Sequence, residues 1–121
     1  MRALHALGRA LMGGFFIYSG IRHFQQTEMM AQYAGSKQVP EPRLAVQSSG
    51  ALLLAGGTAL TLGMERAGGA LAAAFLIGVT PVMHDFWRAT DPNQKMNDMV
   101  NFYKNVALLG ASLAFLGEGC D

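Results

Sequence analysis

Leu44 to Met64, LAVQSSGALLLAGGTALTLGM, runs 21 residues without an ionisable side chain. A helix rising about 1.5 Å per residue needs about 20 mostly apolar residues to cross the hydrocarbon of a bilayer. Nothing else in the chain narrows the fold as much. Ala67 to Trp87 is of the same length, with its ionisable pair, His84 and Asp85, in the last turn. Met99 to Gly117 is 19 residues long with one charge, Lys104. Leu4 to Phe24 is a fourth stretch, clean between Ala10 and Ile21. Its Arg9 and Arg22 stand close enough to the ends for long basic side chains to reach the headgroups. The expected fold is therefore all-α: an antiparallel bundle of four transmembrane helices, spans at about 4–24, 44–64, 67–87 and 99–117, in a single domain over residues 1–121.

Composition agrees. Charged residues make up 14% of the chain, against roughly 25% in soluble domains. The 15 glycines are costly in soluble helices but suit membrane bundles, where small residues let backbones approach. Ala51, Ala55, Ala59 and Gly63 repeat every fourth residue, and Gly69, Ala73 and Ile77 continue the pattern; both stripes read as helix contacts. Barrel strands would alternate with period two, and these blocks do not. A net charge of +1 implies neither nucleic acid nor an acidic partner. One cysteine, Cys120, excludes an internal disulfide and a CxxC site. The N-terminus lacks a small-x-small cleavage signal and reads as a retained signal-anchor.

The connectors differ in kind. Glu65-Arg66 reads as the tight turn between spans two and three, and Arg88 to Asp98 as a polar loop with an Asp-Pro turn. Thr27 to Gly35 reads as a short interfacial helix between spans one and two with an apolar face of Met29, Met30 and Tyr33. Pro40 and Pro42 then fix an extended entry to span two.

Four alternating spans bring one end of every helix to the same leaflet. There the sequence places Arg22 and His23, then Gln47 with Ser48 and Ser49, then His84 and Asp85, then Asn101, Lys104 and Asn105. Lys104, about 7 Å inside Met99, is the expected ion-pair partner of Asp85, with Arg88 the alternative along the same helix. Pro81 frees the Ile77 carbonyl, which the Thr80 hydroxyl can take, and a kink there would turn His84 inward. Two readings follow. Either these residues fix topology and pair with one another, or Arg22, His23, Gln47, His84, Asp85, Lys104 and Asn105 line a pocket for a polar-headed lipidic molecule such as a quinone. No catalytic motif appears, and no metal-ligand spacing: His84 and Asp85 diverge by about 100° on a helix, and no His-x3-His pair exists.

The chain resembles the DoxX family of small four-helix membrane proteins. The resemblance rests on GRALMGGFFIYSGIRHF, MMAQYAGSKQVPEP, GALLLAGGTALTLG, HDFW and FYKNVALLGASLAF in that order. The matching positions are Gly20, Phe24, Val39-Pro40, Gly56-Gly57, His84 and Lys104-Asn105. One departure is Leu53, where many members carry a glutamate three residues before the paired glycines. The resemblance implies a multi-pass protein of the bacterial or archaeal cytoplasmic (inner) membrane. It also implies association with a larger redox or respiratory complex, more as accessory subunit than as enzyme. It fixes no cofactor, though a quinone is compatible with it. Three Lys and Arg residues flank the terminal side (Arg2, Arg9, Arg66) and six the other; by the positive-inside rule this bias favours both termini outside, while the basic N-terminus ahead of span one argues for the opposite orientation.

Overall fold

The computed structural model describes residues 2–118, so Cys120 lies outside the described residues. Within them all regular structure is helical: α1 Arg2–Gln25, α2 Thr27–Ser36, α3 Pro42–Thr61, α4 Glu65–Met83 and α5 Pro92–Leu116, with a 3-10 turn at Phe86–Arg88 before α5. Three of these segments are long and apolar enough to cross a membrane: α3, α4 with the turn that follows it, and α5.

Neighbouring helices touch through glycine. A Cβ built on Gly13 of α1 would fall 2.7 Å from the Gly57 carbonyl oxygen of α3, and one on Gly20 3.0 Å from that of Gly50. Gly68 of α4 faces Leu60 and Gly56 of α3 in the same way, and Gly69 faces Ser112 and Leu116 of α5. Such approach brings many atoms into van der Waals contact, the main attraction between helices that lipid would solvate equally well apart. The close contacts do not run along the expected stripe. Ala51 and Ala55 are exposed, while Gly50, Gly56 and Gly57, on the adjoining faces, carry the packing. Period alone could not tell these faces apart.

Phe16, Leu53, Leu60, Ala72 and Leu76 form the core, with Met12, Phe75, Leu108, Leu109 and Phe115 packed against it. Leu53, at the family's glutamate position, is 1% exposed. The outer surface is apolar too: Leu4, Leu7, Leu11, Phe15 and Tyr18 make one stripe on α1, 45–67% exposed. That much large apolar surface in water would be an aggregation liability; facing acyl chains it is the ordinary outside of the fold.

Boundaries depart from expectation where caps decide them. Helix α4 stops at Met83, four residues before Trp87, leaving His84 as its C-cap and Asp85 off the helix. Pro81 has no N–H to give the helix, and the His84 N–H caps its end by donating to Thr80 O at 3.1 Å. The Thr80 hydroxyl is buried and finds no partner, so it does not take up the freed carbonyl. Helix α5 begins at Pro92, because Asp91 caps it by accepting from Gln94 N at 3.2 Å and Pro92 fills the first helical position. Most of the expected polar loop is thus helix. The α3–α4 turn falls on Leu62 to Met64, with Gly63 at φ +93°, not on Glu65-Arg66. Before α3, Gln38 and Glu41 sit at φ 64° and 49°, so the entry after Pro40 is bent where extended chain was expected. Helix α2 buries Thr27, Ala31 and Ala34, not the Met29 side, which is 57% exposed.

Candidate functional site

Cutting α4 short has a consequence for the chemistry. His84 and Asp85 leave the helix just where α2 passes, and α5 presents Gln94 and Asp98 one turn apart on the same side. Asp98 is completely buried. Its Oδ1 accepts from Gln94 Nε2 at 3.1 Å and lies 3.2 Å from the Tyr33 hydroxyl, and its Oδ2 accepts from Lys37 Nζ at 3.3 Å. Lys37 Nζ also donates to Asp85 Oδ1 at 2.5 Å. Gln94 completes the set by donating to the Tyr33 oxygen at 3.0 Å. His84 Nδ1 stands 3.8 Å from Asp98 Oδ1, beyond hydrogen-bonding distance, and is buried without a partner.

The cluster is therefore a lysine at the C-cap of α2 held between a carboxylate after α4 and a carboxylate on α5. Burying an ammonium opposes its charged form, but the hydrogen bonds it donates to Asp85 and Asp98, with the charge of Asp98, outweigh that, and the Lys37 pKa is raised above 10.5. Burial, chiefly, also raises Tyr33 above its ordinary 10.0. Both groups are harder to deprotonate folded than unfolded. Their stabilisation is complete below about pH 10 and is lost as pH rises through the folded-state values. The unfolding midpoint in detergent should hence fall steeply above pH 10, and Lys37→Met should flatten that fall; an unchanged alkaline limb in the variant would contradict the assignment.

The expected pair of Asp85 with Lys104 does not form; Lys37 takes Asp85, because the end of α4 turns toward α2. Lys104 stands twelve residues into α5, about 18 Å along its axis, exposed, with its Nζ 6.0 Å from the Phe15 ring centroid. Among the described residues it forms no salt bridge. Asn105 beside it is buried. The other expected site residues lie elsewhere. Arg22 donates to Tyr18 at 3.1 Å and Gln26 at 2.8 Å. His23 contacts the Ser19 carbonyl at 2.7 Å through Nδ1 and meets Phe75 edge-on. Gln47 lines a separate groove with Phe24 and Arg43. Of the seven residues expected to line one pocket, the cluster gathers two, His84 and Asp85.

Tyr33, Lys37, Gln94 and Asp98 were missed. The sequence alone puts Tyr33 on an apolar face, and Asp98 and Gln94 in a loop. A usable signal existed: Asp91-Pro92 is a capped helix start, which puts Gln94 and Asp98 at i and i+4 on one face. At the opposite end Glu65 Oε1 meets His5 Nε2 at 2.5 Å and Arg9 Nε at 3.2 Å, while Arg9 Nη1 donates to the Leu60 carbonyl at 3.3 Å. These contacts hold the first turns of α1 against the end of α3 and the start of α4. Glu118 comes within 4.8 Å of His5 and Glu65, but the arginine already supplies the cation there.

The sequence model of the DoxX family matches residues 4–85, two thirds of the chain. The chain belongs to the DoxX family. The match takes in α1 to α4 and ends at Asp85, the first carboxylate of the cluster. It includes Lys37 but neither Gln94 nor Asp98. No curated protein and no solved structure matches the chain. With its apolar helices, this DoxX protein is a multi-pass membrane protein in contact with the lipid bilayer.

Proposed function

We propose that the protein is a non-catalytic accessory subunit of a redox or respiratory membrane complex, in a bacterial or archaeal cytoplasmic membrane. Its spans are α1, α3, α4 and α5, alternating in direction, with α2 in the interface. The ionic cluster carries this reading. Both oxygens of Asp98 have partners from their own chain and Lys37 neutralises Asp85 as well, so the most buried charged groups fasten α2 to α4 and α5. They are not held free for a substrate. Counting α1 as a span is supported by Arg9 and Arg22, which lie within about two turns of its ends and bond within the chain, lowering the cost of holding them in the membrane. The exposed Ala70, Ala74 and Gly78 of α4 form a smooth face, and a Cβ on Gly78 would meet nothing within 4 Å. A partner helix can approach closely there.

Purification in mild detergent followed by mass spectrometry of bound proteins and lipids tests this. Partner proteins in fixed ratio, with no quinone, are expected. A second reading, a quinone- or lipid-binding protein, draws support from the unpartnered His84 Nδ1 and from the uncompensated Lys104. A bound quinone lost on His84→Ala or Lys104→Ala would replace the first reading by the second.

A further inference from the structure

Where α1 gives way to α2, a groove of about 570 Å³ opens against the start of α3. Phe24 and Met29 line it with apolar surface, Gln25 and Gln47 add carboxamides, and Glu28 and Arg43 are ion-paired along it. Gly50 lets the Phe24 ring lie close on α3: a Cβ there would fall 2.8 Å from Cβ of His23 and 2.9 Å from Cε2 of Phe24. One turn deeper stand the exposed Ile21 of α1, below Phe24 and Gln25, and the exposed Ala51 of α3, below Gln47. The groove thus has paired opposite charges above and apolar surface below.

We propose that this groove binds one zwitterionic glycerophospholipid whose headgroup carries a phosphate and a primary ammonium, as phosphatidylethanolamine does. This rests on the reading that α2 lies in the membrane interface. The Arg43 guanidinium has five N–H donors and uses only part of them on Glu28, leaving others for a phosphate. The Glu28 carboxylate likewise keeps acceptor sites for an ammonium. The acyl chains run down over Phe24 and Ile21. A phosphatidylglycerol headgroup offers the phosphate but no cation, and a choline headgroup has no N–H to donate. The geometry therefore discriminates by headgroup as well as by charge.

The test is native mass spectrometry of the delipidated protein with equimolar phosphatidylethanolamine and phosphatidylglycerol. Wild type should carry the ethanolamine lipid in roughly threefold to fivefold excess, the size of one solvated ion pair. Glu28→Gln should remove the preference while glycerol-lipid binding persists, and Arg43→Gln should lower both. Both residues are well exposed, so neither change threatens folding. Equal occupancy in wild type, or a preference that survives Glu28→Gln, overturns the site. Soluble phosphoethanolamine at equal concentration should not displace the lipid; if it does, the acyl contacts play no part and the lipid assignment is wrong. Alkaline carbonate extraction separates the two claims. Release of the chain defeats the membrane reading and the groove together, whereas a retained chain without headgroup preference defeats the groove alone.

Discussion

Lys37→Met should destabilise the protein by about 3–5 kcal/mol, the usual cost of removing one partner from a buried ion pair. Among the described residues Lys37 is the one cation between Asp85 and Asp98, whose side chains are 11% and 0% exposed. Methionine fills the same volume, so the loss is electrostatic and not a cavity. Asp98 would keep its bonds from Tyr33 and Gln94, while Asp85 would lose its ammonium partner. The comparison that isolates charge is a double-mutant cycle with Asp98→Asn. If Lys37 acts through Asp98, the double variant should be more stable than the sum of the single losses predicts, by about 0.5–3 kcal/mol. Thermal unfolding in detergent reads this, and strict additivity would mean that the two side chains do not interact. Limited proteolysis between α2 and α3 gives a second readout. Freed of Lys37, α2 remains attached to α4 and α5 mainly through Tyr33, and cleavage there should accelerate.

Gly57→Leu should cost about 3 kcal/mol, at the upper end of overpacking effects or beyond it. A Cβ at Gly57 would lie 2.6 Å from the Gly13 carbonyl oxygen and 2.9 Å from Ile17 N. Both obstacles are backbone, so no rotamer change relieves them and α1 must move away from α3. Leucine favours helix over glycine by only about 0.5–1 kcal/mol, too little to offset that separation. Gly110→Leu on α5 is the control, since a Cβ there meets nothing within 4 Å. Its helix propensity should show undiminished, leaving the unfolding midpoint unchanged or slightly higher. Equal midpoints for the two variants would mean that the α1–α3 contact is looser than these distances state.

Both expectations rest on features that the sequence reveals unequally. The uncharged run from Leu44 to Met64 is enough to put α3 in a membrane, because the cost of burying charge and the length of a span leave few alternatives. The short helix after Thr27 and the family were legible too, the first from composition and the second from ordered pieces running from α1 to α5, of which the family model matches those up to residue 85. The packing glycines were visible as residues but not as contacts. Ala51 and Ala55 make as regular a stripe as Gly50 and Gly57, and a period identifies a face without saying what it meets.

The functional cluster was the least legible part. In the sequence, span counting makes Lys104 the expected partner of Asp85, whereas Lys37 takes that place. That reasoning assumed α4 helical through Trp87. Ending the helix at Met83 turns Asp85 toward α2, and starting α5 at Pro92 moves Lys104 to mid-helix and Asp98 to the depth of Asp85. A shift of a few residues in two boundaries therefore changes which charges meet. Hydropathy is summed over some twenty residues and tolerates such shifts, whereas an ion pair depends on ångströms. The sequence by itself determined the solvent of this protein, its helices and its family. Only the tertiary structure decided that Lys37, 48 and 61 residues away in the chain, closes the two carboxylates, because contact between distant segments follows from how helices end and pack and not from local composition.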